Sequence, residues 1–284
     1  MIQQADILHF VQGWSSPVLD KLFVALSALG SEVFYLAVIP VLYWCVNKKT
    51  GYRLAVVFLL SVFGNNYLKM LFHTLRPSPD EFRVMAPESS YAFPSGHSQG
   101  SATFWVLLAQ AARSRLLWAV AVILTLGVGI SRLYLGVHWP VDVGGGWLIG
   151  LLFALVGWRV ALSLEERVRL DFPVLQLLLA AGLPLLLLLI ADDDSSLKIA
   201  GFLAGISAGY VLEEVALDFR PRARFTAQLI KVLIGLGVMV LILEGLKQVL
   251  PVASEFLVLR YAAAGFWGPF LAPVTFTWLL GGRR

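Results

Sequence analysis

The sequence predicts an all-α fold, a polytopic bundle of transmembrane helices. Hydrophobic residues make up 58% of the 284 residues and charged residues only 14%, whereas a soluble domain carries about 25% charged residues. The mean hydropathy is +0.79, and apolar runs long enough to cross a bilayer recur along the chain. A soluble fold of this size cannot bury so much apolar surface. The net charge of +4 is small, and no nucleic-acid partner is expected.

Two short segments precede the first predicted span. Residues 2–14 mix apolar and polar side chains and are too short to cross a bilayer, which indicates an amphipathic helix in the membrane interface. Residues 17–29 form a second short piece, which ends at Gly30-Ser31. We therefore interpret residues 1–30 as an N-terminal interfacial segment.

About nine spans follow, because a bilayer crossing needs about 20 mostly apolar residues. They lie at 32–47, 52–73, 97–112, 115–135, 139–158, 173–191, 197–216, 226–249 and 256–280. Residues 31–162 are interpreted as a core bundle and residues 163–284 as a C-terminal transmembrane extension. The longest polar connection, 74–96, is interrupted by prolines and cannot be one helix. Loops of this length are usually functional.

Basic residues gather at one set of span ends. These ends carry Lys48, Lys49, Arg53, Arg113, Arg115, Arg159, Arg167, Arg169, Arg220, Arg222, Arg224, Arg283 and Arg284. Loops rich in lysine and arginine remain in the cytoplasm, so these ends are predicted to be cytoplasmic. The 74–96 loop and the 136–138 turn then face the periplasm or the cell exterior. We expect a multi-pass protein of the cell inner or plasma membrane.

Three cations near this loop form the first part of a candidate site. Lys69 lies near the outer end of one span, Arg76 follows it beside Pro77, and Arg132 lies near the outer end of another. Ionisable groups at membrane depth are costly, so they indicate function by default. Because guanidinium groups match pairs of phosphate oxygens, cations from separate elements can surround one phosphate.

The tetrapeptide Pro94-Ser95-Gly96-His97 comes directly before a predicted helix. Ser95 or Gly96 would lie at the helix N-terminus, where unpaired backbone amides attract anions. Glycine also allows an oxyanion to approach the backbone closely. His97 would lie in the first turn, within reach of the same anion.

His138 and Asp142 are placed four residues apart at the start of another span. If a helix begins near Pro140, the two side chains share one face. A carboxylate bonded to one ring nitrogen fixes the tautomer and leaves the other nitrogen free to attack. This is the arrangement of an activated nucleophile. For this pair alone, a helix cap with an incidental histidine is the alternative.

Together these positions resemble the three-part signature of the type 2 phosphatidic acid phosphatase superfamily. The signature consists of Lys69, six residues, Arg76-Pro77, then Pro94-Ser95-Gly96-His97, then Ser131-Arg132, five residues, His138, three residues and Asp142. Every motif position is filled, and the resemblance covers roughly residues 32–160. The spans after residue 170 go beyond the six-helix core that is usual for bacterial members.

The resemblance implies a role for each matched residue. His138 would be the nucleophile that forms a phosphohistidine, Asp142 would orient it, and His97 would protonate the leaving oxygen and then activate water. The phosphate-binding residues would be Lys69, Arg76, Arg132, Ser95 and Gly96, with Ser131 as a minor partner. No metal and no other cofactor is expected, because the cations supply the electrostatic stabilisation.

The expected activity is hydrolysis of a membrane lipid phosphate or diphosphate at the extracytoplasmic face. Undecaprenyl diphosphate, phosphatidylglycerol phosphate and phosphatidic acid are all suitable substrates. The bilayer-facing helices would hold the lipid tail while the polar loop holds the headgroup. Two alternatives stay open, a lipid phosphotransferase that uses the same residues and a lipid transporter built on a phosphatase core. A homo-oligomer is also left open.

A stripe of small residues marks the second half of the chain. Gly201, Gly205 and Gly209 are spaced by four residues, which places them on one helix face. Such a groove suits close helix–helix contact. Tight packing inside the chain is the preferred interpretation, and a dimer seam is the alternative.

Charged residues in the second half are interpreted mainly as structural. Charges inside a membrane usually pair, so Glu213 and Glu214 are expected to pair with Lys231. Glu244 and Lys247, with Arg260 beyond, are expected to do the same at the outer end. A substrate or ion path is the alternative for these groups. The aspartates at 192–194 are interpreted as a solvated outer turn.

Overall fold

A computed structural model of the protein describes residues 3–167, 173–191 and 193–280, with side chains described outside 164–167 and 173. The described residues form helices joined by loops and contain no strand. The predicted all-α class is therefore confirmed. Among the predicted features, Arg169, Arg283, Arg284 and Asp192 lie outside the described residues, as does the side chain of Arg167.

Twelve α-helices are described along the chain, most of them joined by short connections. They are α1 (Gln4–Gln12), α2 (Pro17–Ala28), α3 (Glu32–Cys45), α4 (Lys48–Phe72), α5 (Gly96–Ala112), α6 (Arg115–Tyr134), α7 (Pro140–Arg167), α8 (Pro173–Leu185), α9 (Asp194–Ala216), α10 (Phe225–Val249), α11 (Ser254–Phe266) and α12 (Ala272–Leu279). A 3₁₀ turn at Leu186–Leu189 follows α8, and a π-helical turn at Trp267–Leu271 joins α11 to α12. The long polar connection between α4 and α5 forms neither helix nor strand, which agrees with the prediction that it cannot be one helix.

The predicted count of nine spans is not confirmed. Six helical stretches in the described part of the chain are long and apolar enough to cross a membrane, or seven if α2 and α3, bent by 50°, form one span. The predicted span 97–112 corresponds to a helix of 17 residues that buries polar side chains such as Gln99 and Thr103. The predicted span 173–191 yields a helix of only 13 residues. The basic residues fall on one membrane side only if the chain crosses nine times, so the membrane side of each loop stays a prediction.

The chain divides into two compact units. One consists of Met1–Tyr35 and Leu60–Leu162, and the other of Leu36–Leu59 and Ser163–Arg284. All residues of the candidate site belong to the first unit. The predicted division at residues 30 and 162 stays a prediction.

Small residues on α7 bring its first turns against the start of α5. A Cβ atom at Gly146 would lie 2.7 Å from the carbonyl oxygen of Ser95, and one at Gly150 would lie 2.4 Å from that of Gln99. Real Cβ contacts are never this short, so only glycine allows the two helices to approach so closely. This contact fixes the height of the α5 N-terminus relative to α7.

A buried hydrogen-bond network connects α4 to α5. Asn65 donates through Nδ2 to the Gln99 side-chain oxygen at 2.8 Å and to the Pro94 carbonyl at 3.2 Å. Gln99 in turn donates through Nε2 to the Ser61 carbonyl at 2.6 Å, and the hydroxyls of Ser61 and Thr103 are 2.9 Å apart. Buried polar groups with their bonds satisfied make a rigid support. The network therefore holds the backbone directly before Ser95.

The first two helices hold the 74–96 loop. Gln12 on α1 donates to the Arg83 carbonyl at 2.9 Å, and the Arg83 guanidinium donates to Asp20 on α2 at 2.9 Å. Phe82 is buried in an apolar cluster with Leu8 of α1. The loop is thus tied to the N-terminal helices by both polar and apolar contacts.

In the second unit, the predicted tight packing of the glycine stripe within the chain is confirmed. A Cβ at Gly201 would lie 2.4 Å from the Val258 carbonyl oxygen, and one at Gly205 would lie 2.1 Å from that of Ala262. The stripe therefore lies against the backbone of α11. No room remains on this face for a helix from a second copy.

The predicted pairing of Glu213 and Glu214 with Lys231 is wrong. Both carboxylates instead bind Lys48, with shortest distances of 3.1 Å and 2.8 Å. Lys48 is the first residue of α4 and lies close enough to satisfy them, whereas Lys231 donates to the Pro221 carbonyl at 2.8 Å. The expected pair of Glu244 and Lys247 is confirmed as a long contact of 3.9 Å.

We expect Gly150→Ala to destabilise the protein, because the new methyl group would clash with the α5 backbone. Overpacking costs about 1–3 kcal/mol, which exceeds the gain of up to about 1 kcal/mol from replacing a helical glycine by alanine. The matched control is Gly144→Ala on the same helix, where no atom lies within 4 Å of the new Cβ. Thermal unfolding in detergent should show a lower Tm for the first variant only. Equal Tm values would contradict the close contact between α5 and α7.

Candidate active site

The centre of the candidate site is His138, which is fully buried in the turn before α7. Its Nδ1 lies 3.3 Å from Oδ2 of Asp142, and the same carboxylate oxygen accepts the backbone N–H of Trp139 at 2.8 Å. The start of α7 at Pro140 places the two side chains on one face, as the spacing predicted. Asp142 therefore caps the helix and holds the imidazole ring at the same time.

The partners of His138 define which ring nitrogen carries the hydrogen. Arg76 Nη1 lies 3.0 Å from His138 Nε2. A guanidinium can only donate and an ionised carboxylate can only accept. Nε2 must therefore be the acceptor, and the hydrogen is on Nδ1, towards Asp142. The lone pair of Nε2 points to the side where the cations lie.

The three predicted cations come together, although they belong to three separate elements. Lys69 at the end of α4 and Arg132 at the end of α6 are both buried. Arg76 in the loop is positioned by its Nη1 bond to the Val137 carbonyl at 2.8 Å and its Nε bond to the Ser90 carbonyl at 2.7 Å. Buried cations repel one another, and an anion that lies between them offsets this repulsion.

That anion is the side chain of Glu88, which no motif in the sequence indicates. Its Oε2 accepts from Arg76 Nη2 at 2.7 Å, and its Oε1 accepts from Arg132 Nη2. The same Oε1 lies 3.8 Å from His97 Nδ1. Two residues further on, Ser90 Oγ accepts from Lys69 at 2.9 Å and from Arg76 at 3.0 Å. The segment 88–91 therefore contacts all three cations.

The start of α5 places the predicted Ser95, Gly96 and His97 beside this cluster. The backbone N–H of Ser95 donates to the carbonyl of Asp142 at 3.0 Å, so the helix N-terminus is attached to the residue that orients His138. Gly30, in the turn after α2, allows close packing beside the site, since a Cβ there would lie 2.7 Å from Val128 Cγ1 and 3.2 Å from the His97 side chain. The sequence alone identifies Gly30 only as the point where a helical run ends.

Ser131 has a different environment from the other predicted residues. It is fully buried, and its hydroxyl donates to the Val128 carbonyl at 2.6 Å. Its position in the last turn of α6 supports the backbone before Arg132. Arg132 itself donates through Nη1 to Ser27 of α2. Its Nε is buried without a hydrogen-bond partner in the described part of the chain.

The electrostatics follow from burial among cations. Burial, together with the positive charges of Arg76 and Arg132, holds the pKa of His138 well below its usual value. Burial raises the pKa of the Glu88 carboxyl. The positive charges around it, first of all those of Arg132 and Arg76, lower this pKa by more, so it lies below its usual value. The site thus presents a neutral imidazole and a carboxylate to three cations.

This arrangement can bind an anion that has several oxygen atoms, and His138 can attack it. The guanidinium and ammonium groups can stabilise negative charge as it develops on the anion. Nε2 of His138 lies at hydrogen-bond distance from one of these groups, the Arg76 guanidinium. Among the described residues, no group of three or more His, Cys, Asp or Glu side chains has the arrangement of a metal site. The donor set is one that suits phosphoryl groups.

Comparison with known protein families supports the interpretation of this site as one for phosphoryl groups. Residues 50–165 match the model of the PAP2 superfamily, and residues 197–283 match that of the PAP2 superfamily phosphatase, transmembrane extension. The chain therefore belongs to the PAP2 superfamily, and the resemblance found in the sequence is confirmed. The first match contains all of the candidate residues.

The similar curated proteins are lipid phosphatases. Phosphatidylglycerophosphatase B of Bacillus subtilis is 30% identical over 48% of this chain and 72% of its own length. Undecaprenyl-diphosphatase of Sulfolobus acidocaldarius is 32% identical over 46% of this chain and 66% of its own length. "Probable sphingosine-1-phosphate phosphatase" of Dictyostelium discoideum is 30% identical over 52% of this chain, but the match spans only 40% of that protein.

A solved structure shares the same helical core. It is the crystal structure of the first transmembrane PAP2 type phosphatidylglycerolphosphate phosphatase from Bacillus subtilis, with 26% identity and a TM-score of 0.50. The superposition covers 60% of this chain and 87% of that one. The remaining part of this chain has no counterpart in that superposition.

We expect the ring of His138 to remain neutral well below pH 6.5, with its hydrogen on Nδ1. The downward shift of its pKa has this sign because both burial and the neighbouring cations oppose protonation. The chain has 4 histidines, so ¹⁵N-histidine NMR in detergent can follow each ring between pH 8 and 5. The His138→Asn variant assigns the signal, and the exposed His9 serves as reference. Protonation of His138 at or above pH 6.5 would contradict the arrangement described.

Proposed function

We propose that the protein is an integral membrane lipid phosphatase that works through a phosphohistidine on His138. The observation that carries this proposal is the orientation of His138, with Nδ1 on Asp142 and Nε2 beside Arg76. Membership of the PAP2 superfamily supports the same chemistry. The proposal also requires no metal ion, because Lys69, Arg76 and Arg132 supply positive charge from three sides.

In the first step, Nε2 of His138 gives up its hydrogen bond from Arg76 Nη1 and attacks the phosphorus atom. The bond from phosphorus to the leaving oxygen breaks as the new bond forms. The proton on that oxygen comes from His97, whose protonated form a bound phosphate dianion favours. The ring of His138 becomes positively charged as the new bond forms, and the Asp142 carboxylate stabilises it. Arg76 and Arg132 bind the equatorial oxygens, with the backbone at Gly96 and the hydroxyl of Ser95 as further donors.

In the second step, a water molecule replaces the alcohol. His97, now neutral, removes a proton from the water, and the oxygen attacks phosphorus while the phosphorus–Nε2 bond breaks. Inorganic phosphate leaves and the ring of His138 returns to its neutral form. The same group acts as acid and then as base, as microscopic reversibility requires.

The substrate class that we propose is a phosphomonoester or diphosphate of a membrane lipid. The named relatives act on phosphatidylglycerophosphate, undecaprenyl diphosphate and sphingosine 1-phosphate. Exposed apolar side chains lie between two of the cations in the chain: Phe72 is 51% and Leu75 is 80% exposed. Such side chains suit contact with an acyl or isoprenoid tail beside the headgroup. The basic span ends favour a site on the side away from the cytoplasm.

The two other functions considered from the sequence differ in their support. A lipid phosphotransferase would use the same residues, with a lipid or sugar hydroxyl in place of water, so analysis of products with an added acceptor distinguishes it. A transporter was suggested by charged residues in the second half of the chain. Glu213 and Glu214 bind Lys48, and Glu244 contacts Lys247, so these groups have structural partners and do not favour transport.

We expect the purified protein to release phosphate from lipid phosphomonoesters or diphosphates with EDTA present, and His138→Ala to abolish this release. The measurement is a phosphate assay over a panel of the lipids named above in detergent micelles. His9→Ala, at an exposed histidine outside the site, serves as the matched control and should retain activity. Turnover by the His138→Ala protein would remove His138 as the nucleophile. Loss of activity on chelation would contradict the metal-independent mechanism.

We also expect the 74–96 loop to be reached from outside the cell. Cys45 is the single cysteine, so Cys45→Ser provides a background for single new cysteines. Ser78→Cys in the loop should react in intact cells with a maleimide that cannot cross the membrane. Arg222→Cys, at a predicted cytoplasmic end, should react only after the membrane is opened. The reverse pattern would place the site in the cytoplasm.

A further inference from the structure

The side chain of Glu88 occupies the position where the site has most positive charge. It accepts hydrogen bonds from Arg76 and Arg132 through its two different oxygens, which is how a phosphate group would bridge two guanidinium groups. Its Oε1 also lies 3.8 Å from His97, the group proposed to protonate the leaving oxygen. A carboxylate here therefore has the same partners as the substrate's phosphate.

The rest of the segment 88–91 also offers oxygen atoms to the cations, as a phosphate would. Ser90 Oγ accepts from Lys69 at 2.9 Å, and the Ser90 carbonyl accepts from Arg76 at 2.7 Å. The Tyr91 carbonyl accepts from Arg76 Nη2 at 3.3 Å. Oxygen atoms of one short segment thus satisfy donors on all three cations. A phosphate with three free oxygens would need the same donors.

These contacts exclude simultaneous binding in the observed geometry. Arg76 Nη2 already has Glu88, Ser90 and Tyr91 as acceptors. The Arg132 Nη2 atom is bonded to Glu88 and its Nη1 atom to Ser27. The Arg132 Nε is a buried donor without a described partner. Every N–H of Arg76, in contrast, already has an acceptor. A phosphate that binds both guanidinium groups must therefore displace one of these acceptors, and Glu88 is the one that also binds Arg132.

We propose that Glu88 is an internal competitor of the substrate, a carboxylate that binds the phosphate-binding cations until a phosphate displaces it. This inference rests on the proposed function, since it takes Arg76 and Arg132 as the phosphate-binding residues. Glu88 keeps the buried cations paired while no phosphate is bound. It also lowers the affinity for every anion, because only the fraction of molecules with Glu88 displaced can bind.

The competing interpretation is that Glu88 is a positioning residue that holds the two arginines in their productive orientation. The two interpretations predict opposite signs for one measurement. A competitor weakens phosphate binding, so its removal strengthens binding. A positioning residue assists phosphate binding, so its removal weakens binding.

The test is the affinity of the full-length protein in detergent for inorganic phosphate, with the Glu88→Gln variant, which removes the charge but retains the shape. The dissociation constant comes from the phosphate dependence of Tm, and the inhibition constant comes from lipid turnover. We expect both constants to fall about tenfold or more in Glu88→Gln, as when less than about a tenth of the native protein is competent to bind. Without phosphate, Glu88→Gln should have the lower Tm, and phosphate should restore it.

The matched control is Glu81→Gln, an exposed glutamate of the same loop, whose side chain is 58% exposed. It should leave the phosphate constants unchanged. Unchanged or weaker phosphate binding in Glu88→Gln, with lipid hydrolysis still present in the wild type, would overturn the competitor role alone. If neither protein binds phosphate and the wild type hydrolyses no lipid phosphate, the proposed function itself fails.

Discussion

Asp142 is the residue on which the geometry of the site depends. Its carboxylate contacts His138 and caps α7 through the N–H of Trp139, while its carbonyl accepts the N–H of Ser95. One residue thus orients the proposed nucleophile, begins one helix and attaches the start of another. Loss of this carboxylate would free the ring and the turn together, so orientation and local folding are inseparable here.

The surroundings of Asp142 keep that arrangement rigid. Asn65 and Gln99 fix the backbone before Ser95 from the side of α4, and Gly146 allows α7 to lie against the same backbone. Both supports are buried, so a shift of either helix would break hydrogen bonds or create a clash. A site built from His97 on α5 and His138 in the turn before α7 needs such support, because small displacements between reacting groups are costly for catalysis.

The sequence predicted the residues whose chemistry conflicts with their surroundings. Lys69 and Arg132 are cations in apolar segments, so they were identified without structural information. Glu88 was missed because a charged residue is ordinary in a polar loop and therefore gives no signal. No local sequence pattern indicates its partners, which are distant in the chain. Asn65 did have a signal, since Ser61, Asn65 and Lys69 are four residues apart on one helix face. The count of nine spans is not confirmed, because apolar composition alone does not distinguish a buried helix from one that crosses the bilayer.

The charges of the site connect its two steps. In the proposed mechanism, the cations that help to keep the ring of His138 neutral also bind the phosphate. Tight binding by these cations would slow the release of the product. If Glu88 competes for these cations, its return offsets the loss of contacts as phosphate leaves. The same carboxylate would then weaken the binding of substrate and product alike, which costs little when a lipid substrate is already concentrated in the membrane. Release would become faster while the attack of His138 on a bound lipid stays unchanged, since Glu88 is displaced during that step.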